Sequence, residues 1–545
     1  MYVERPIRSL EASHGRVATL AFLSRRLPAS SFTEPLAQSL RIQTGTTVAL
    51  VRLIDASLPA NLHERPSVDL TLDGSCQLVP QLPPMDAGIQ LIHLKICHES
   101  YPPGQIASLL EQLRRRFDYI LIEAVTEELP AAPLFEFLLH SDKGYLFLRA
   151  ANDDVYHLDL MLRELRPKLG NSPVELKPAL CLCEGEVVDG YDALIQHVMG
   201  PLEVFIRGCP KSLDDQALSG GIFHADLRRL AREISNSLVG LALSSGAAKG
   251  LSHIGVIQVL EENGIDIDIV AGSSMGAYVG AVWAYGLDGP KLEQLAREMQ
   301  TRWAFWSLID PAFPPRQGFL RGYAVKKRLM RTIGHAHFAD LQRPFRVLAT
   351  NLDTLERTVF SSGEVAEAVH ASIAVPGICV PVKINGETYV DGGIVNPLPV
   401  DVLREMGVSR VIAVNAIPTP DRNRYCLQAE RELAQLPRKH AREVLRKLLP
   451  LGTHLNYFTR GNILEILMRS IHGAQVWMAE SLGREADIVL HPQICDDRWV
   501  DFRDPARFIK PGREIAERYL DEIKALVSRK AVKHETSLES MVALA

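Results

Sequence analysis

The sequence lacks an excess of positive charge. Its 60 Lys and Arg stand against 65 Asp and Glu, a net charge of −5. That excludes the basic field on which a nucleic-acid binder depends. Aromatics are scarce at 6 %, while 47 % of residues are hydrophobic and 23 % charged, the balance of a globular chain. The eight cysteines are dispersed and form no disulfide framework. Cys181 and Cys183 make a lone C-x-C inside the apolar stretch Ala179–Cys183. Two further ligands at matching spacing are missing, so the pair reads as one face of a strand and no metal site is expected. The first ten residues, MYVERPIRSL, contain no apolar signal core. Ile269–Leu287 runs 19 residues without a charge, but it is built from Gly, Ser and Ala around a G-x-S-x-G. A buried strand–turn–helix accounts for it better than a bilayer span. The expectation is a cytoplasmic protein without a transmembrane segment. Repeats of solenoid or propeller period are also missing.

What is present is two successive strand–helix series. The first has strand-like runs at Val17–Leu23, Thr47–Ile54, Ile89–Ile96, Tyr119–Ile122, Gly144–Leu148 and Ala179–Cys183. Helical segments such as Pro35–Gln43, Pro103–Arg116 and Val155–Leu169 lie between them. Such alternation implies a parallel sheet covered on both faces. Lys211–Phe223 holds Ser, Asp and two adjacent glycines and reads as a linker, followed by a short basic helix at Asp226–Ser235. The second series begins with a strand at Val239–Leu243, a helix at Leu251–Asn263, a strand at Ile267–Ala271 and a helix at Met275–Tyr285. It ends with a helix at Pro511–Val527. The predicted fold class is α/β, two three-layer αβα domains. Their bounds are 1–210 and 238–530, with a linker and short helix at 211–237 and a tail at 531–545.

Three segments of the second series carry chemistry. Gly272-Ser273-Ser274-Met275-Gly276 lies where a strand enters and a helix leaves. That is the setting of a nucleophile elbow, in which Gly272 and Gly276 avoid clashes and the new helix aims its amides at Ser274. Ser244-Ser245-Gly246-Ala247-Ala248-Lys249-Gly250 sits one strand–helix unit earlier. Its small residues can present backbone N–H groups to one point, with Gly246, Ala247 and Lys249 the candidate oxyanion donors. It has no G-x-x-x-x-G-K-[ST], so it is not a Walker A loop. In Val390-Asp391-Gly392-Gly393 an aspartate at a strand end is followed by two glycines. Gly392 and Gly393 permit a tight turn, and the Asp391 carboxylate can then act as general base to a neighbouring serine.

In order and spacing these blocks resemble a patatin-like phospholipase domain, of the bacterial branch similar to neuropathy target esterase, over about Val239–Leu526. The matching text is LALSSGAAKGLSHIGV, VAGSSMGAYVGA, FRVLATNLDT, FSSGEVAEAVHASIAVPGICVPV and YVDGGIVNPLPVDV. The resemblance implies a Ser274–Asp391 dyad with no histidine, and an esterase acting on phospholipids or lysophospholipids through an acyl-enzyme without a cofactor. The α/β-hydrolase order Ser…Asp…His is the other mechanism, with His472 or His491 as base. Ser244, Ser245 and Ala247 stand where that family's loop has glycines, which bears on the positive-φ positions rather than on the amides themselves. A lipid-binding regulatory protein without turnover is the competing class.

Residues from about Gly15 to Pro210 resemble a deviant-Walker ATPase fold of the MinD/ParA type. GRVATLAFLSRRLPASSFTEPLAQSL stands in the place of strand, P-loop and helix. Arg25, Arg26 and Leu27 take the positions of glycines and a lysine, and Glu123 that of the second-strand aspartate. Without glycines the amides cannot wrap phosphates, and without the lysine the charge is uncompensated. This half is therefore expected to hydrolyse no ATP and to dock a protein partner or regulate. A lipid substrate also implies peripheral contact with the inner membrane face. The candidate is the basic, amphipathic Arg438–Leu449, followed by Tyr457, Phe458, Ile463, Leu464, Ile466, Leu467 and Met468, although a helical insertion packed on the core or a dimer contact accounts for most such amphipathic segments.

Overall fold

The computed structural model describes residues 15–24, 26–55, 68–72, 88–96, 104–170, 172, 174–183, 186, 190–200, 202, 204–210, 221–300, 307, 309–419, 463–492, 494, 502 and 504–528. Arg25, Arg438–Leu449, Tyr457, Phe458 and the tail at 531–545 lie outside them. The chain divides between Ser237 and Leu238 into two units.

The first unit is one sheet of eight strands in the order β3-β4-β2-β5-β1-β6-β7-β8. The strands are β1 (Arg16–Phe22), β2 (Val48–Asp55), β3 (Val68–Leu72), β4 (Ile89–Ile96), β5 (Tyr119–Val125), β6 (Lys143–Arg149), β7 (Glu175–Cys183) and β8 (Val204–Cys209). Every neighbouring pair is parallel. The physical reason is in the runs themselves: six of the seven residues of β1 are buried, so both faces need a helical cover. On one face Leu20, Phe22, Leu121, Phe147, Cys181 and Ile206 share a core with Phe32, Leu36 and Leu40 of helix α1 (Ala29–Thr44). Cys181 and Cys183 thus sit as apolar fillers of the core. The basic helix expected at Asp226–Ser235 is longer, α2 (Gly221–Ile234), and closes this same core. Phe223 meets Phe32 edge-on at 5.3 Å. Arg207 of β8 donates to the fully buried Asp226 at 2.7 Å and 2.8 Å, which fixes α2 to the sheet edge.

The loop after β1 is a closed turn. Arg26 N donates to Ser24 Oγ at 3.2 Å, and Leu27 N to Ser24 O at 3.1 Å. Leu27 itself is buried in the core. Beside it Thr33 Oγ1 donates to Glu123 Oε2. Arg52 joins that carboxylate at 3.1 Å and Glu34 at 2.7 Å. The polar groups at this sheet end satisfy one another.

The second unit is a mixed sheet in the order β13-β14-β11-β10-β9-β15-β16, with β12 branching from β11. Its strands are β9 (Val239–Leu243), β10 (Ile269–Ser273), β11 (Phe345–Asn351), β12 (Arg357–Phe360), β13 (Val382–Ile384), β14 (Glu387–Asp391), β15 (Arg410–Val414) and β16 (Ile488–Leu490). The four pairs from β11 through β16 are parallel, whereas β12, β13 and β14 pair antiparallel. The side chains alternate between two cores. Leu241, Leu243, Val270, Ile412 and Val414 face helices α3 (Ser252–Glu262), α4 (Met275–Tyr285) and α7 (Ala506–Arg518). Ala242, Ile269, Ala271, Val411 and Ala413 face Leu398–Leu403 and the residues Val476 and Ala479 of α6 (Ile463–Gly483). Between them in sequence lies α5 (Val365–Ser372). No described helix is long and apolar enough to cross a membrane. The uncharged run Ile269–Leu287 forms β10, a turn and α4.

Candidate active site

Strand register alone brings the two proposed reactive residues to one level. Ser273 at the end of β10 pairs with Leu348 of β11, and the next residue of β11, Ala349, pairs with Asp391 of β14. Ser274 therefore leaves the sheet at the level where Asp391 ends its strand. Ser274 is held at φ 54 and ψ −117, a conformation rare for a residue with a side chain. Such strain costs on the order of 1–3 kcal/mol and persists where the surroundings over-determine it. The surroundings here are backbone. A Cβ on Gly272 would lie 2.5 Å from Gly276 O, and one on Gly276 would lie 2.2 Å from Leu243 O. The Ser274 amide is tied to Ser372 Oγ at the end of α5, at 2.9 Å.

The Ser274 hydroxyl donates to Asp391 Oδ2 at 2.5 Å. The other carboxylate oxygen, Oδ1, accepts from Gly393 N at 2.7 Å, and the Asp391 amide donates to Ala374 O at 2.9 Å. Gly392 is needed for the approach to β11, because its Cβ would lie 2.2 Å from Leu348 O. Both side chains are buried, Ser274 at 7 % exposure and Asp391 at 3 %. Burial pushes the Asp391 carboxyl up to about 6, against the opposing hydrogen bonds from Ser274 and Gly393. Among the described residues no histidine is hydrogen-bonded to Ser274 or Asp391. His472 instead lies beside Gln475, and burial together with nearby Lys249 lowers its proton affinity. Burial also lowers that of His491, which follows β16.

The loop after β9 differs from the closed turn after β1. The amides of Gly246 and Ala247 have no acceptor among the described residues. The Lys249 amide, proposed from sequence as a third donor, is committed to Gly246 O at 3.1 Å, because the chain already turns there into a short 3₁₀ segment at Ala247–Leu251. Ala247 takes φ 46, a left-handed position held by a residue with a Cβ. Ser244 contributes a staple where glycine has none. Its Oγ donates to Ser245 O at 2.8 Å and accepts from Ala416 N at 2.8 Å. From below, His253 Nε2 donates to Ser244 O at 2.9 Å. His253 is fully buried and its pKa is driven down to about 4, so it is neutral and holds the loop as a donor. Sequence reasoning gave no role to His253, Ser372 or Gln475. His253 and Ser372 do fall inside the quoted blocks.

Comparison with known proteins places these residues in context. Residues 241–404 match the family model described as patatin-like phospholipase. The curated protein "Neuropathy target esterase sws" of Drosophila melanogaster is 32 % identical over 228 residues, 40 % of this chain and 16 % of that protein. "Lysophospholipase NTE1" of Candida albicans is 30 % identical over 210 residues, 38 % of this chain and 15 % of that protein. The matches therefore span about a sixth of these relatives. Among solved structures, VipD from Legionella pneumophila matches at 17 % identity and a TM-score of 0.27, covering 52 % of this chain and 67 % of that one. The MinC:MinD complex of Aquifex aeolicus matches at 14 % identity and a TM-score of 0.31, covering 40 % of this chain and 95 % of that one. The second unit of this chain thus carries a patatin-like phospholipase domain, similar to that of the neuropathy target esterases and their lysophospholipase relatives.

Proposed function

We propose that the protein is a serine hydrolase that cleaves acyl esters of phospholipids or lysophospholipids through Ser274 and Asp391. The observation that carries this reading is the 2.5 Å hydrogen bond between a strained elbow serine and a buried carboxylate. As Ser274 Oγ attacks the ester carbonyl, Asp391 Oδ2 takes its proton. The carbonyl oxygen becomes an oxyanion held by the Gly246 and Ala247 amides. Collapse of the tetrahedral adduct returns the proton from Asp391 to the leaving alcohol and leaves the acyl group on Ser274. Water, deprotonated by Asp391, then attacks the acyl group, and Asp391 passes that proton to Ser274 Oγ as the fatty acid leaves. A carboxyl that titrates near 6 is a stronger base than an ordinary aspartate yet is ionised at neutral pH, which suits both directions of transfer.

The test is hydrolysis of a lipid panel beside labelling by a fluorophosphonate. Turnover and labelling are expected for the wild type and neither for Ser274→Ala. A folded wild-type protein that is neither labelled nor active would favour lipid binding without turnover. For the first unit, the closed turn at Ser24–Leu27 and the self-paired cluster of Thr33, Glu34, Arg52 and Glu123 support a docking or regulatory role without nucleotide hydrolysis.

A further inference from the structure

Helix α6 brings polar side chains to the candidate site from the second core. Its buried residues Val476 and Ala479 anchor it against Leu398, Val400 and Leu403. Trp477 on its far side is 65 % exposed. Between these, Gln475 reaches the D-G-G turn. A Cβ built on Gly393 would lie 2.8 Å from Ser245 Oγ, 2.9 Å from Gln475 Nε2 and 3.0 Å from Asp391 Oδ1. Three polar side-chain atoms from three distant parts of the chain converge there, so a Cβ at this position would displace them. Ser245 is 3 % exposed, and its hydroxyl has no hydrogen-bond partner among the described residues. One turn earlier on the same helix face, His472 lies beside Gln475 and near Lys249 of the loop after β9.

We infer that Gln475 is a positioning residue for Asp391, covering the carboxylate on its Oδ1 side with a neutral amide while Ser274 holds Oδ2, and that the Ser245 hydroxyl completes this cover. The inference rests on Asp391 as the base. Neutrality is the point. A second carboxylate there would hold the proton on Asp391, and a cation would strip it of basicity. The other titratable groups around Asp391 are the Cys379 thiol, which feels its charge, and Lys249 and His472 beyond Gln475.

The experiment is the pH profile of Ser274 labelling by a fluorophosphonate in Gln475→Glu, Gln475→Met and Trp477→Glu. Gln475→Glu is expected to move the acid limb up by at least about half a pH unit, because a like charge disfavours ionised Asp391. Gln475→Met should lower the rate several-fold and leave the limb within about 0.2 unit, since it adds no charge. Trp477→Glu adds the same charge on the solvent side of α6 and should move nothing. An acid limb in Gln475→Glu that coincides with the wild type overturns the inference. An independent arm needs no catalysis: melting temperatures above pH 7 for Gln475→Glu in the Asp391 and Asp391→Asn backgrounds. The destabilisation should be present in the first and largely relieved in the second. Equal effects in both backgrounds also overturn it. Should wild-type Ser274 prove inert to the probe, the functional reading fails, and the melting cycle alone decides this one.

Discussion

Each unit leads an apolar strand through a turn into a helix, β1 into α1 and β9 into α3, and the two turns treat their amides in opposite ways. After β1 the amides of Arg26 and Leu27 bond back to Ser24, and Leu27 fills the core. After β9 the amides of Gly246 and Ala247 find no acceptor among the described residues, and Ala247 is left-handed. The acidic groups differ likewise. Glu123 is held by Thr33 and Arg52, whereas Asp391 has no ion pair among the described residues and faces a hydroxyl. Similar strand-to-helix architecture thus gives a sheet end with self-paired polar groups in one unit and one with unpaired amide donors among the described residues in the other. What separates them is which polar groups are left to a ligand, a distinction that fold alone does not make.

The largest effects are expected at the proposed pair Ser274 and Asp391. Ser274→Ala and Asp391→Asn should each lower ester turnover by at least about 10³-fold, the scale seen when one member of a proton-transfer pair is removed. Circular dichroism should show both still folded. Retained turnover in Asp391→Asn would remove that residue from the mechanism.

The next effect is pH dependence. Asp391 must be ionised to accept a proton, so the acylation rate should fall with an acid limb centred near 6. The same shift carries a stability consequence of opposite sense. A carboxylate whose folded pKa lies above the ordinary 3.8 favours the folded state most below 3.8, and that advantage is lost as pH rises towards 6. Asp391→Asn should therefore melt higher than the wild type at pH 8, by an amount bounded at about 3 kcal/mol from 1.36 kcal/mol per pH unit, with the gain shrinking by pH 4. A variant that melts lower at pH 8 would show that the buried charge is not a burden on the fold.

The oxyanion turn sharpens the comparison at smaller scale. Ala247→Gly keeps the amide and relieves a strain of roughly 1 kcal/mol, so turnover should stay within about threefold. Ala247→Val puts a β-branched side chain at φ 46 and should cost turnover about 10²-fold, the scale of losing one oxyanion donor. The smallest effect is on the first unit. Millimolar ATP with magnesium should leave the melting temperature unchanged, and a clear rise would reopen the turn after β1 as a phosphate site.

The second unit was legible because its elements are apolar and bounded by glycine-rich turns, as at the strand Val239–Leu243 and the helix Met275–Tyr285, where predicted and observed bounds coincide. Strands β3, β8, β12 and β13 were not anticipated. They are short, and charges at Asp69, Arg207, Arg357 and Lys383 interrupt their apolar pattern. Helix α1 was expected to begin at Pro35, since proline suits a first turn, but it starts at Ala29 and carries Pro35 inside. The expected helix at Pro511–Val527 is two helices, Ala506–Arg518 and Leu520–Ser528. In the candidate site, Ser274 and Asp391 were legible through motifs. Ser372 and Gln475 were not, because each acts across the fold without a local signature, Ser372 lying 98 residues from the amide it accepts from. Lys249 marks the reverse failure. Its amide belongs to the loop, as an i to i−3 bond that spacing alone does not reveal.

The measurement that bears most directly on the central claim is site-resolved fluorophosphonate labelling, read by peptide mass, in three variants: Ser274→Ala, Asp391→Asn and the double variant His472→Gln/His491→Gln. Label is expected on Ser274 in the wild type and not in Ser274→Ala, at a rate at least about 10³-fold lower in Asp391→Asn and within about tenfold of wild type in the double histidine variant. Loss of labelling in the histidine variant with retention in Asp391→Asn would contradict that claim.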